Sequence, residues 1–458
     1  MVILLESLFG LAAIISNSEI IASIIVLSLL ITLCLLDSKL IPPVLIIYIF
    51  TSLYTTYPDL GFYRYDLGGR NLYTFELLLI ILFIWILIKE ISQNFPTFKK
   101  LVLLDYLIII WIAITSIAII RGVLAGRNIS DIVFETRFLV FLFGYYIFSV
   151  LLEKKEVLNL ILYGLLISGI IIFCYTIINL VDHNFIIRIG GQTRLISGEQ
   201  GFIVGFLAII SLCFALYDKN KNYILMAAFF VCVIMLVISY QRSSYMQFFA
   251  SFIILAIFIE KGKKKFFIWT VVLSACFVMI IFTLSLLFNF KLDSMVNAFS
   301  ERTLSIKVET NDPSVLGRYI EYGLSYIHIK SEPVLGTGMG LVLKFLSPTD
   351  FGPVPTVRIV PHNELEWMAL KTGIPNTLLF CGIIFYSIYS GKRIYKKLTD
   401  PKEKAFLLAV ISTLTGIIIR AQFEDSFHKH RIGFALWILL GTVAFFNRRE
   451  KISVNEKK

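Results

Sequence analysis

The feature that most limits what this chain can fold into is a series of apolar runs. Each is about 17–23 residues long, the thickness of a bilayer core, and they recur from end to end. Candidates begin near Glu19, Leu40, Tyr73, Leu103, Val133, Leu158, Gly201, Tyr223, Ser244, Phe267, Thr372, Phe406 and Ile432. Residues 2–16 are apolar as well, though short and interrupted by Glu6. In hydrocarbon every peptide group needs a partner within the chain, so helices are the spanning form here. The expectation is an all-α polytopic integral membrane protein with about 12–14 transmembrane helices. A length of 458 residues would also allow two or three soluble domains, but composition excludes them: 58% of residues are apolar, 16% are charged, and mean hydropathy is +0.84.

The first segment has no basic leader and no small-residue cleavage site, and further spans follow at once, so no cleavable signal peptide is expected. All six cysteines fall inside apolar runs without CxxC spacing, which reads as small core residues rather than ligands. The net charge of +11 does not point to nucleic acid, because of where the charge lies. Lysines crowd short connections at Lys99–Lys100, Lys154–Lys155, Lys219–Lys221, Lys261–Lys265 and Lys392–Lys404, and the tail "NRREKISVNEKK". The positive-inside rule assigns these to the cytoplasm, where they also meet anionic lipid head groups.

With sides assigned, the two cation types separate: about twenty lysines fall inside and about six outside, against roughly twelve arginines outside and three inside. The outer set is Arg64, Arg70, Arg121, Arg127, Arg188, Arg194, Arg242, Arg302, Arg318, Arg358, Arg420 and Arg431, and all five histidines map to the same side. Topology alone does not select arginine over lysine. Arginine stays charged when partly desolvated and grips phosphate oxygens bidentately. Two readings remain open at this level: lipid head-group contacts, or an outward-facing site for a phosphate-bearing ligand.

One outer connection, from about Phe290 to about Thr372, is roughly 75–80 residues long, and loops of that length are usually functional. Within it "VLGRYIEYGLSYIHIKSEP" places Leu316, Ile320, Leu324 and Ile327 on one helical face and Arg318, Glu321, Ser325 and His328 on the other. That pattern predicts an amphipathic helix, ended by Pro333, with its apolar face on a membrane or protein surface and its polar face in water. The glycines of "PVLGTGMG" read as a tight, closely packed turn, since no Gly-Lys-Ser/Thr follows as a phosphate loop requires.

The stretch "VPHNELEWMALKTG" then breaks the apolar pattern. Asn363 followed three residues later by Glu366 is a capping-box spacing, so a helix should begin there with His362 at its N-terminus. The helix dipole and nearby arginines favour an uncharged imidazole able to accept a proton. In "SYQRSS", residues 239–244, Arg242 either snorkels to the rim or points into a cavity shared with His362. "RIGGQTRLISGEQG" brings Arg188 and Arg194 to the outer face, and His428 and His430 in "SFHKHRIG" read as a solvated loop.

These segments together resemble the bacterial O-antigen ligase and O-antigen polymerase superfamily. His362-Asn363, nine residues, then Gly373 matches its His-Asn/Ser/Gln…Gly pattern, with Asn376 where the family carries Gly, Thr or Tyr. "SYQRSS" is similar to the family segment ending a span in Ser/Thr-x-Arg. "GRYIEYGLSYIHIKSEPVLGTGMG" is similar to its loop helix ahead of a Pro-x-x-Gly-x-Gly turn. The similarity covers roughly residues 190–440.

The resemblance implies a GT-C-like fold with one long helical periplasmic loop, and three segments. These are 1–289, N-terminal transmembrane helices; 290–371, the periplasmic loop; and 372–458, C-terminal transmembrane helices and a basic cytoplasmic tail. It implies a glycosyltransferase of the bacterial inner membrane, its site facing the periplasm, that uses no metal, cofactor or nucleotide sugar. The donor would be an undecaprenyl-pyrophosphate-linked oligosaccharide, and the acceptor a second lipid-linked glycan (polymerase) or lipid A-core (ligase). Membrane lipids and a chain-length regulator protein are the other implied partners. His362 would be the catalytic base, with Arg242, Arg318, Arg194, Arg188 and Asn363 holding pyrophosphate or substrate. A flippase or other transporter and a signalling scaffold are the rival classes. Transporters favour internal repeats and midplane charges, whereas this chain gathers its polar residues at the outer rim.

Overall fold

The computed structural model describes residues 28, 30–51, 64–66, 71–93, 100–152, 155–181, 187–189, 192–194, 196–217, 223–239, 241–272, 313–348 and 352–455. The apolar segment 2–16, the start of the span from Glu19, all but the start of that from Phe267, and residues 290–312 of the long outer connection lie outside these. In chain order we label α1 (Ile41–Thr51), β1 (Arg64–Asp66), β2 (Asn71–Tyr73), α2 (Thr74–Ser92), α3 (Leu103–Leu124), α4 (Ile129–Thr136), α5 (Leu142–Leu151) and α6 (Lys155–Val181). There follow β3 (Ile187–Ile189), β4 (Gln192–Arg194), α7 (Gly198–Tyr217), α8 (Tyr223–Ile238), α9 (Arg242–Phe258) and α10 (Pro313–Ser331). The last are β5 (Leu343–Ser347), β6 (Val354–Arg358), α11 (Glu364–Thr372), α12 (Ile374–Lys397), α13 (Pro401–Ala421) and α14 (His430–Asn455).

Among the described residues seven helices are long and apolar enough to cross a membrane: 103–124, 129–151, 156–178, 198–217, 374–397, 401–421 and 430–452. The strands form only three short antiparallel hairpins. The chain is an all-α polytopic membrane protein.

The chain divides into two compact units. One comprises residues 1–103, 137–200 and 430–458. Its core pairs α5 with α14 and α1 with α6. Small residues let these backbones meet, as in other membrane bundles: a Cβ at Gly164 would lie 3.1 Å from Pro43 Cα. Two of its buried charged groups have polar partners, as low-dielectric surroundings require. Arg137 meets the buried Glu76 at 2.6 Å, and Arg448 donates to the Ser149 carbonyl at 3.0 Å.

The other unit comprises residues 104–136 and 201–429. In it α9 packs on α13, α13 on α12, α12 on α11, and α11 on α10, which also meets β5. Asp400 caps α13 by accepting from the Lys402 N–H at 2.9 Å, with Pro401 set in the first turn, where a missing N–H costs nothing. The turn "GTGMG" is fastened to this scaffold through its backbone. Thr337 N–H donates to Leu370 O at 2.8 Å, Gly338 N–H to Lys371 O at 2.9 Å, and Met339 N–H to Ala118 O at 3.0 Å. Gly338 has φ +86°, and a Cβ there would sit 3.0 Å from the Gly122 nitrogen, so only glycine fits. The turn is the close-packed one the sequence indicates.

One expectation is corrected. The polar face of α10 does not point to water: Glu321 and Ser325 are fully buried, while Tyr326 and Ile327 are each 64% exposed. The reason lies in the packing: α10 turns this side onto the N-terminal end of α11, where Glu321 holds His362, and leaves Tyr326 and Ile327 outermost.

Candidate functional site

The helix α11 carries the site, and its ends explain the motif spacing. Asn363 is its N-cap, in extended backbone, with Oδ1 accepting from the N–H groups of Leu365 at 3.0 Å and Glu366 at 3.2 Å. Glu364 and Glu366 in the first turn suit the positive end of the helix. Gly373 closes it with φ +87°, donating to Ala369 O at 3.1 Å, and any Cβ there would collide with the Val334 carbonyl. The nine residues between Asn363 and Gly373 are therefore one helix, Glu364–Thr372, held between a cap and a left-handed stop. Asn376, the position that departs from the family pattern, is buried and donates to Thr115 Oγ1 at 3.1 Å.

His362 precedes the cap and is gripped from α10. Its Nδ1 lies 3.0 Å from Glu321 Oε2, and its backbone N–H donates to Glu321 Oε1. On the far edge of the ring, Nε2 lies 3.4 Å from Arg358 Nη2, and Arg358 Nε lies 3.8 Å from Glu321 Oε2. Glu321 is 1% exposed, His362 26% and Arg358 42%. A carboxylate only accepts, so the neutral ring carries its proton on Nδ1. A guanidinium only donates, so Nε2 presents its lone pair. Such a pair can take a proton at Nε2 while the carboxylate stabilises the cation that forms. The β5–β6 hairpin positions Arg358 at the end of its register, opposite Leu343.

Beneath this, α11 rests on a buried, charged bed. Lys371 pairs with Glu135, both wholly buried, and also donates to the Leu341 carbonyl. Trp367 Nε1 donates to Glu135 Oε1 at 3.3 Å, and Gly340 N–H donates to Glu135 Oε2. Glu364 Oε1 lies 2.9 Å from His428 Nδ1, and Glu364 Oε2 accepts from the Phe427 N–H at 3.0 Å. His428 Nε2 lies 3.2 Å from the Glu135 carbonyl. Burial alone would strip the proton from His428, but Glu364 above all, with Asp425 and Glu135, outweighs it and raises its proton affinity above the ordinary value. Burial pushes the Lys371 ammonium the opposite way, down, with Glu135 opposing.

The solvated-loop reading of "SFHKHRIG" is thus corrected: His428 and His430 are both buried, the latter 4.9 Å from the Phe75 ring and 6.0 Å from that of Phe141. Among the described residues no group of three or more His, Cys, Asp or Glu is arranged to hold a metal ion.

The other expected site residues fall as follows. Arg318 lies one helical turn before Glu321 and Tyr322 on α10, partly buried. Arg242 opens α9, between Gln241 and Ser243, whose side chains both donate to Glu424 Oε1 at 2.7 Å. Glu424 also holds Arg420 Nη2 at 2.8 Å and Lys429 at 3.0 Å, and Arg420 Nη1 reaches Ser244 Oγ at 2.7 Å. Burial would raise the Glu424 carboxyl, yet Arg420, Lys429 and the Ser243 hydroxyl hold it well below the usual range. Arg188 and Arg194 stand on the β3–β4 hairpin of the other unit, paired with Thr193 and Ile187 in its register. Asn363 serves as the cap.

The direct partners of His362, Glu321 and Arg358, were not singled out from sequence. Their signals were the three-residue step from Arg318 to Glu321 on one helical face and the four-residue step from Arg358 to His362. The outer arginine excess is also partly structural. Arg121 binds Glu332 and the Gly336 carbonyl, Arg127 binds the carbonyls of Gly338 at 2.6 Å and Met339 at 3.0 Å, and Arg420 is committed to Glu424.

Residues 227–381 match the family model described as O-antigen ligase, which bears out the superfamily resemblance and supports glycan transfer of the O-antigen ligase or polymerase type. The matched segment contains Arg242, Arg318, Glu321, Arg358 and His362. No curated protein matches the chain.

Proposed function

We propose that this membrane protein transfers an oligosaccharide from undecaprenyl pyrophosphate to an acceptor hydroxyl at the N-terminal end of α11, on the periplasmic side of the inner membrane. The observation that carries this reading is the Glu321–His362 pair, in which the carboxylate is buried, the imidazole is partly exposed and its Nε2 stands beside a guanidinium. In the proposed reaction the acceptor oxygen bonds to the anomeric carbon as the bond to the pyrophosphate oxygen breaks. The hydroxyl proton passes to His362 Nε2, and Glu321 stabilises the imidazolium. Arg318, Arg242 and the partly open Arg358 stabilise the charge developing on the leaving pyrophosphate. Arg188 and Arg194 are proposed for substrate contact on sequence grounds, and Asn363 for fixing the backbone that carries His362. The enzyme is proposed as GT-C-like and metal-independent, with arginine neutralising the phosphates.

The acceptor is proposed to be the end sugar of a second lipid-linked glycan, which makes the activity polymerisation. Ligation to lipid A-core is the second reading, favoured by the description of the matched family. Purified protein given defined lipid-linked repeats, with or without lipid A-core, should yield a ladder of longer lipid-linked chains, whereas transfer only onto core supports ligation. His362→Ala should lower either product about 10²–10⁴-fold with the fold intact. Activity retained in that variant sinks the assignment.

A further inference from the structure

The side of α10 turned away from α11 is exposed and mostly apolar. Leu316, Tyr319, Tyr326 and Ile327 are all exposed there, and Gly323 opens onto free space between them. Their spacing sets them on one helical face, opposite the buried Glu321 and Ser325. The apolar row does not stop at the helix end. Just past it, the Pro333 carbonyl accepts from the N–H of Ile374, the first residue of α12, at 2.8 Å. Val334 and Leu335, both exposed, therefore stand beside the start of α12. That helix is long and apolar enough to span, and Ile374, Leu378, Gly382, Phe385 and Tyr389 lie exposed along it at steps of three and four residues, a single stripe. Apolar side chains left open along a span face hydrocarbon. The row on α10 thus continues a lipid-facing surface, at the end of α12 away from its basic terminus, Lys396 and Lys397.

The residue types suit the boundary of a bilayer. Tyrosine has an apolar body and a polar tip, and it collects at the head-group level. Lys330 is exposed on the same side of α10, one turn past Tyr326, where its ammonium reaches anionic head groups. With Arg318, Glu321 and Lys330 along it, α10 is suited to lie on such a boundary rather than to cross it.

We propose that this face of α10 is a lipid-docking surface, seated where acyl chains meet phosphate head groups at the start of α12. Its partner is the phospholipid bilayer. A protein partner would leave unexplained why the row runs on into the stripe of a span. The opposite face of α10 holds His362 through Glu321, so the seating fixes the depth of that pair in the membrane. That this depth suits a lipid-borne pyrophosphate rests on the proposed function; the docking does not.

The test uses the full chain in vesicles of phosphatidylethanolamine and phosphatidylglycerol. Photoreactive p-benzoylphenylalanine is placed singly at Tyr319, Tyr326, His328 and Leu378, and the adducts formed on illumination are weighed by mass spectrometry. Phospholipid adducts are expected at Tyr319 and Tyr326 in yields matching Leu378 on the α12 stripe. They should be lost at His328, which shares the side of Glu321. Adducts to a second copy or to another segment of the chain in place of lipid overturn the proposal. So do lipid adducts as abundant at His328 as at Tyr326, or none at Tyr319 and Tyr326 while Leu378 gives them. The pattern is read without glycan substrate, so its failure is distinguishable from failure of the proposed transfer.

Discussion

The same nine-residue helix serves two glutamate–histidine pairs, and they are built for opposite ends. In the Glu364–His428 pair both partners are buried, and the second ring nitrogen faces a backbone carbonyl. Both nitrogens then act as donors, so this imidazole keeps its proton and fastens the loop after α13 to α11. In the Glu321–His362 pair the carboxylate is equally buried, but the ring is 26% exposed and its second nitrogen faces an arginine. An arginine can only donate, so that nitrogen carries a lone pair and no proton, and can accept one from an acceptor hydroxyl that takes the arginine's place. A histidine paired with a carboxylate is thus either a staple or a base according to what stands at its other nitrogen.

The widest separation of the two pairs should come from breaking the buried one. His428→Ala leaves Glu364 as an uncompensated buried charge, at a cost of about 3–5 kcal/mol, read as a lower unfolding midpoint in detergent. The sign with pH follows from the raised proton affinity of the folded state. The contribution of His428 is fully present below about pH 6.5 and is lost as pH climbs through the raised folded value. Wild-type stability should therefore decline on the alkaline side, and His428→Ala should lose that slope. If His428→Ala unfolds like wild type yet transfers no glycan, the two pairs are not different in kind.

Glu321→Gln sharpens the contrast from the other side. It preserves shape but removes the charge that stabilises the imidazolium, and transfer should fall on the order of 10²-fold. Little change in product formation would show that Glu321 merely packs. The smallest effect belongs to Asn363→Ala, which removes the cap common to both pairs and should cost about 1 kcal/mol of stability. A loss several times larger would mean that the cap side chain also meets substrate.

Much of this architecture is written in residue order because its causes are local. Runs of bilayer length mark out seven spans among the described residues. The runs near Leu40, Tyr223 and Ser244, counted in the expected total of about 12–14, instead form helices of only 11, 16 and 17 residues. Asn363, Gly373 and the glycines of "GTGMG" fix helix ends and turns through their own backbone preferences, so the frame around His362 is legible. The faces of α10 were not. Periodicity shows that Arg318, Glu321 and Ser325 share a side, but whether that side meets water or another helix depends on what packs there. The outer arginines gave the same ambiguity. Arg121, Arg127 and Arg420 are bound to protein carbonyls or carboxylates that lie far away in sequence.

The sequence by itself determined a membrane-spanning helical chain, the boundaries of α11, and a histidine poised at its start, since each depends on hydropathy or short-range hydrogen bonding. Only tertiary structure decided which carboxylate grips that histidine, which arginine faces its free nitrogen, and which glutamate–histidine pair is sealed away. Those choices depend on burial and on partners dozens to hundreds of residues apart, which no local pattern encodes.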